Sequence, residues 1–201
     1  MSLFAGGTGS NVNLYSQIHK DQVTGVNLSE ESVAKDIIKP WNERNSSTFI
    51  ESNVDDQLII YVPFITAVKL KSLLISTESG ELRPDAVKIY TNLANCPDFG
   101  EVENSQALQE ISLERHSSID NENPHSDHVV EYPLRVARFT NVFSCVLFFV
   151  SDYVFYFLKR NILKKYNQPS SVGRSVSRIY YVGFKGECLT PKRENSDRVS
   201  K

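Results

Sequence analysis

The stretch from Ile37 to Ser76 constrains the fold most. It opens on an extended Lys39-Pro40-Trp41 entry and a polar segment from Asn42 to Ser47. Two apolar runs follow, Leu58 to Val62 and Val68 to Ile75, joined by Pro63-Phe64-Ile65-Thr66-Ala67. The first run is nearly continuous and too short for a buried helix, which suits a strand covered on both faces. The second begins with a period of two, Val68 and Leu70 inward and Lys69 and Lys71 outward, and then becomes fully apolar. Proline cannot donate to a ladder, so the first strand should end or bulge at Pro63. The stretch therefore reads as the first antiparallel strand pair of a β-sandwich.

The remaining elements point the same way. Leu14 to Ile18 reads as a short edge strand. Ser29 is a plausible N-cap for one or two helical turns ending near Ile37, since the residue before Pro40 avoids the α region. Asn53-Val54-Asp55-Asp56 is a turn whose side chains bond their own backbone. Ala86 to Thr91 alternates, Asn92 to Glu103 reads as a loop, and Gln106 to Ile111 as a short strand or helix. Tyr132 to Thr140, Phe143 to Val150 and Ser177 to Glu187 complete the strands, the last with glycines where another backbone or ring approaches closely. About seven or eight short strands with almost no helical periodicity indicate an all-β antiparallel sandwich or jelly roll with one short N-terminal helix. Its expected core is Leu58, Ile60, Val62, Leu70, Leu74, Val87, Ile89, Val136, Phe139, Val146, Phe148, Ile179 and Val182.

Composition enters where function is at issue. A net charge of −2 and a pI near 6.1 argue against a nucleic-acid partner, which selects a basic face. The three cysteines, Cys96, Cys145 and Cys188, form neither a disulfide framework nor a zinc site, and reduced thiols suit cytoplasm and nucleus. Residues 1–12 and 189–201 read as flexible tails around a domain at 13–188. Between residues 101 and 132, eight carboxylates face one basic residue, Arg115, and three of the four histidines sit there.

The chemical candidates are few. His125 and His128, with Asp127 and Glu131, lie in a polar loop without an element to fix metal geometry, so no metal and no other cofactor is expected. Glu51, Asp55 and Asp56 read as turn-capping carboxylates rather than catalytic acids. Ser52 and Ser144 lack a nucleophile-elbow context, and Cys145 reads as inert core, so no catalytic residue is assigned. Phe143 to Leu158 spans sixteen residues interrupted by Ser151-Asp152, which is too short for a membrane span. Lys39, Trp41, Asn42, Glu43 and Arg44 form the polar-aromatic set suited to a contact surface, because Trp and Arg are favoured at binding hot spots. The competing reading has Trp41 plugging one end of the sandwich, with Glu43 and Arg44 as a solvated pair.

Lys39-Pro40-Trp41 with Glu43-Arg44, Phe49-Ile50-Glu51-Ser52 with Asp55, Gln57-Leu58, Pro63-Phe64 and Val68-Lys69-Leu70-Lys71 together resemble the opening of a PITH domain, the proteasome-interacting thioredoxin C-terminal domain. Val87 to Asn92, Arg138 to Val142 and Ile179 to Glu187 continue the resemblance in order, over roughly residues 13–188. No CxxC thioredoxin domain precedes them, so the chain resembles the stand-alone PITH proteins. The resemblance implies a galactose-binding-domain-like jelly roll. It also implies a non-catalytic adaptor, a monomer, with the proteasome as partner; the alternative carried by the fold is a carbohydrate or small-ligand binder. Two departures stand out. Asn53 replaces the usual aspartate, and residues 151–174 read as an insertion where the family has a short loop. The basic, turn-rich part from Lys159 to Arg174 should be poorly packed, and joining Ser151 to Ser175 should leave the fold intact, because closure entropy changes slowly with loop length.

Overall fold

The computed structural model describes residues 12–113, 129–151 and 176–189. Its organising element is a single strand, Leu58–Thr77, which replaces the expected pair. In chain order, the strands among the described residues are β1 (Val12–Asn13), β2 (Thr24–Val26), β3 (Ile50–Glu51), β4 (Leu58–Thr77), β5 (Ala86–Thr91), β6 (Gln109–Ser112), β7 (Val130–Pro133), β8 (Val142–Val150) and β9 (Arg178–Cys188), with one α-helix, α1 (Phe99–Asn104), and short 3-10 turns. Pro63 does not reverse the chain. Pairing of β4 with β8 shifts register between Pro63 and Val68, so the strand bulges there and continues.

The bulge divides β4 between two antiparallel sheets. Its first part, Leu58 to Pro63, pairs with β8 and carries β2 on the other edge; β5 adds to β8 and β6 to β5. Its second part, Val68 to Thr77, pairs with β9 and β7, and β1 and β3 add to β9. Two sheets sharing one bent strand make the expected sandwich.

Alternation sorts the first sheet into two buried faces. Leu58, Ile60, Val62, Val87, Ile89, Leu147 and Phe149 join Leu70, Ile179, Val182 and Phe184 in the core between the sheets. Ile59, Tyr90, Val146, Phe148 and Val150 face the other way, under Val102 and Phe99 of α1. That second layer explains why Leu58 to Val62 is apolar throughout. Each such side chain contributes roughly 1.5–3 kcal/mol when fully buried. All expected core residues are buried except Val136.

Val136 belongs to one of several corrected segments. Beyond Pro133 the backbone leaves the sheet, and Val136–Arg138 is a 3-10 turn. Strand β1 ends at Asn13, whose side chain accepts the Tyr15 N–H at 2.8 Å and starts a 3-10 turn, Tyr15–Gln17, where an edge strand was expected. Ser29 caps no helix: it forms a turn with Ser32, and only Ala34–Ile37 is helical, as a 3-10 turn. The expected loop after Thr91 contains α1, whose start is a capping box between Asp98 and Glu101.

The expected insertion and both tails fall largely outside the described residues. The strands flanking the insertion do end side by side, with Ser151 Oγ 3.2 Å from Ser177 Oγ.

Candidate functional site

The site is built on an irregularity in β9. Thr77 pairs with Ile179 and Ser76 with Tyr181, which leaves Tyr180 without a place in the ladder. Such a bulge breaks the alternation of side chains. Ile179 and Val182 both enter the core, and Tyr180 and Tyr181 both turn to the segment from Lys39 to Phe49. Phe49 meets Tyr180 edge-on at 5.5 Å between ring centroids, and Trp41 meets Tyr181 at 6.3 Å.

Lys39 fixes this segment. Its side chain is 5% exposed, so it is not the surface contact expected from the sequence. The ammonium donates to the carbonyls of Thr48 at 2.7 Å, Tyr180 at 2.9 Å and Ser46 at 3.5 Å. It thus closes the strap on itself and ties it to β9. Burial pushes the Lys39 pKa down, opposed by the charges of Asp36 and Glu43.

The other candidates stand on top of that strut. Pro40 is extended and delivers Trp41 into a 3-10 turn, Trp41–Glu43. Trp41 is 43% exposed, lying across the β9 face rather than plugging an end. The Arg44 guanidinium lies 4.3 Å from the indole centroid and donates to the Trp41 carbonyl at 3.0 Å. Asn42 and Glu43 are exposed on the same turn. Of the five candidates, Trp41 and Arg44 are stacked, Asn42 and Glu43 form their rim, and Lys39 is the anchor beneath.

Sequence reasoning missed the residues that complete the surface. Arg178 lies 4.3 Å over Phe49 and donates to Glu51 at 2.6 and 2.9 Å. The Tyr180 hydroxyl donates to Glu78 at 2.6 Å. Glu51 is thus an ion-pair partner of Arg178, whereas Asp55 does cap its turn by accepting the Gln57 N–H at 3.1 Å. Tyr181 is fully buried, with its phenol over Gly183; a methyl group there would stand 2.5 Å from the hydroxyl. The readable signal was the Tyr180-Tyr181 doublet, which interrupts the alternation between Ile179 and Val182.

Elsewhere, the cysteines are free thiols. Burial pushes the Cys145 and Cys96 pKa values up, which makes both poor nucleophiles. Cys188 is exposed, 3.2 Å from Thr66 Oγ1. A cleft of about 720 Å³ lies between the loop after β5 and α1, lined by Tyr90, Cys96 and the carboxylates of Asp98 and Glu101, both engaged in the capping box. His125 and His128 fall outside the described residues, and Glu131 pairs with Lys185. Among the described residues no group of three or more His, Cys, Asp or Glu side chains could hold a metal, and no helix is long and apolar enough to cross a membrane.

The family model of the PITH domain matches residues 5–201. The chain belongs to the PITH domain family. Relatives include PITH domain-containing protein 1 of Danio rerio, 28% identical over 181 residues that cover 89% of this chain and 71% of the relative. The Xenopus laevis protein of that name is 30% identical over 183 residues, covering 89% and 72%. Among solved structures, the CBM32-1 and CBM32-2 domains of Clostridium perfringens ZmpB in complex with GalNAc align with a TM-score of 0.53 at 14% identity, over 89% of this chain and 36% of that one. The fucolectin of Morone saxatilis aligns at 0.51 and 13%, over 93% and 52%. At these identities the likeness establishes the jelly-roll fold alone.

Proposed function

We propose that this PITH domain is a non-catalytic adaptor, a cytoplasmic and nuclear monomer, that docks on the proteasome through the Trp41–Arg44 surface. The observation that carries the reading is the stacked pair itself. An indole 43% exposed is held in one orientation by an Arg guanidinium above it and by the buried Lys39 strut below. Pre-ordered Trp and Arg side chains are what binding hot spots are made of, because little entropy remains to be lost on docking. The family resemblance supplies the partner class. The sequence is acidic over residues 101–132 and basic over 159–174 and parts of the tail, a segregation of charge that can steer a charged partner.

Co-sedimentation of the purified chain with purified proteasomes tests this at about 0.05 M salt. The chain should travel with the particle at micromolar concentration, and raising salt to about 0.5 M should weaken retention as screening shortens. If the chain stays unbound at low salt, the proteasome reading is wrong. A signal on a glycan array would then move the protein to carbohydrate binding, the use that the fold shares with its structural neighbours.

A further inference from the structure

Phe49 repeats the arrangement of Trp41 at the other end of the strap. It is 39% exposed, meets a β9 tyrosine edge-on, and has a guanidinium 4.3 Å from its ring centroid, here that of Arg178. The Lys39 ammonium ties this end of the strap to β9 through the carbonyls of Thr48 and Tyr180. Two exposed rings held in fixed orientations on one short segment make a larger apolar surface than scattered side chains do, and such surfaces mark interaction sites.

The surroundings of Phe49 are acidic by construction. Arg178 is spent within the fold: it donates to Glu51 at 2.6 and 2.9 Å and lies 3.5 Å from Glu78. One cation thus serves two carboxylates. The edge of β3 away from β9 adds more. There the Ser29 N–H donates to the Glu51 carbonyl at 2.9 Å, and the Glu51 N–H donates to Ser32 Oγ at 3.0 Å. The turn from Ser29 to Ser32 is therefore fastened along β3. Its central residues, Glu30 and Glu31, are exposed and have no ion-pair partner among the described residues. Backbone pairing thus sets Glu78, Glu51, Glu30 and Glu31 in one row, from β4 across β9 and β3 to the turn, with Arg178 among them. Surplus negative charge beside an exposed ring selects a partner of the opposite sign.

We infer that the docking surface runs on from Trp41 and Arg44 to a second anchor at Phe49, and that it takes a basic segment of the partner protein. An aliphatic side chain of that segment lies on the exposed part of the Phe49 ring, and its lysine or arginine side chains lie along the row from Glu78 to Glu31. A phosphate-bearing partner is repelled by the same row. The inference rests on the reading of the strap as a protein-docking face and specifies the partner's chemistry.

The probe is N-acetyl-Gly-Lys-Leu-Lys-Gly-amide, titrated into the isotope-labelled full chain beside its counterpart with Glu in place of Lys, at about 0.05 M salt so that screening is weak. Backbone amide shifts read by NMR locate the contact. The Lys peptide should shift the amides of Glu30, Glu31, Phe49 and Arg178 saturably in the millimolar range, and the Glu peptide should not. Glu31→Lys and Phe49→Ala should each weaken that response about fivefold. Glu103→Lys makes the same change of net charge on an exposed position of α1 and should leave the response within about twofold of the parent. Glu31 sits in an exposed turn, and the amide spectrum of each variant shows directly that the fold stands. Equal responses to the two peptides, shifts confined to residues 99–113, or a response untouched by Glu31→Lys would overturn the inference. Proteasome co-sedimentation that Glu31→Lys leaves unchanged sinks this inference and spares the docking reading; peptide binding along the row without co-sedimentation does the reverse.

Discussion

The two sheets of the sandwich cover their outer faces in opposite ways. Outside β4, β8 and β5, the seal is apolar: Ile59, Tyr90, Val146 and Phe148 lie under Val102 and Phe99, with the Phe99 and Phe148 rings 5.9 Å apart. Outside β9, the seal is a strap of irregular backbone held by one ammonium on three carbonyls and by two edge-to-face ring contacts. Apolar burial is non-directional and works through many small contacts, so the first face depends on no single bond. Directional bonds at a few points leave the rest of the strap in water. The second face can therefore present Trp41 and Arg44 without unfolding.

The contrast is testable by substitution, beginning where the effect is greatest. Phe148→Ala empties the apolar seal and should cost about 4 kcal/mol in urea unfolding, within the usual range for a buried phenylalanine, while leaving Trp41 emission unchanged. A loss below about 1 kcal/mol would mean that the second layer is no core. Lys39→Met keeps the stem but abandons three carbonyls, at a cost of roughly 3 kcal/mol, and it should also loosen the strap, seen as lower Trp41 fluorescence anisotropy. Stability lost with anisotropy intact would show that the ammonium is not what holds the indole. Trp41→Ala should change stability by only about 1 kcal/mol, because an exposed cation–π contact is worth little, yet it should reduce proteasome retention tenfold or more.

What could be read from the sequence divides along the same line. The apolar faces were legible where their residues follow a period: Val87 and Ile89 could only be a strand facing a core. Phe143 to Val150 is apolar on both faces, so the core choice of Val146 and Phe148 found buried residues on the outer layer, while Leu147 and Phe149 face the other sheet. The bend in β4 was half legible. Pro63 announced an interruption, but whether a strand reverses or merely bulges depends on its partners, and β8 and β9 lie far along the chain. The strap was the reverse case. Trp41 and Arg44 could be singled out by type, yet Lys39 looked equally exposed, since nothing local tells a lysine that three carbonyls will surround it. One of these, on Tyr180, comes from β9.

The smallest effect concerns acid. The second sheet carries paired carboxylates on its surface. Glu131 accepts from Lys185 across β7 and β9, and Glu187 pairs with Lys71 at 2.6 Å across β9 and β4. The Lys185 bond, helped by Ser72, holds the Glu131 carboxyl below its ordinary 4.5, and Lys71 does the same for Glu187. A carboxyl whose folded pKa is depressed binds fewer protons folded than unfolded in the interval between the two values. Its contribution is therefore complete above about pH 4.5 and is lost as pH falls through the folded value. Urea midpoints should thus decline as pH drops below that point, and Glu131→Gln should flatten part of the decline, by a small amount because exposed pairs are screened by water. Phe148→Ala, acting on the apolar face, should shift the midpoint equally at pH 7 and pH 4 if the two faces are independent. A Phe148→Ala loss that grew in acid would show that they are coupled, and that the apolar seal depends on the charged pairs across the sandwich.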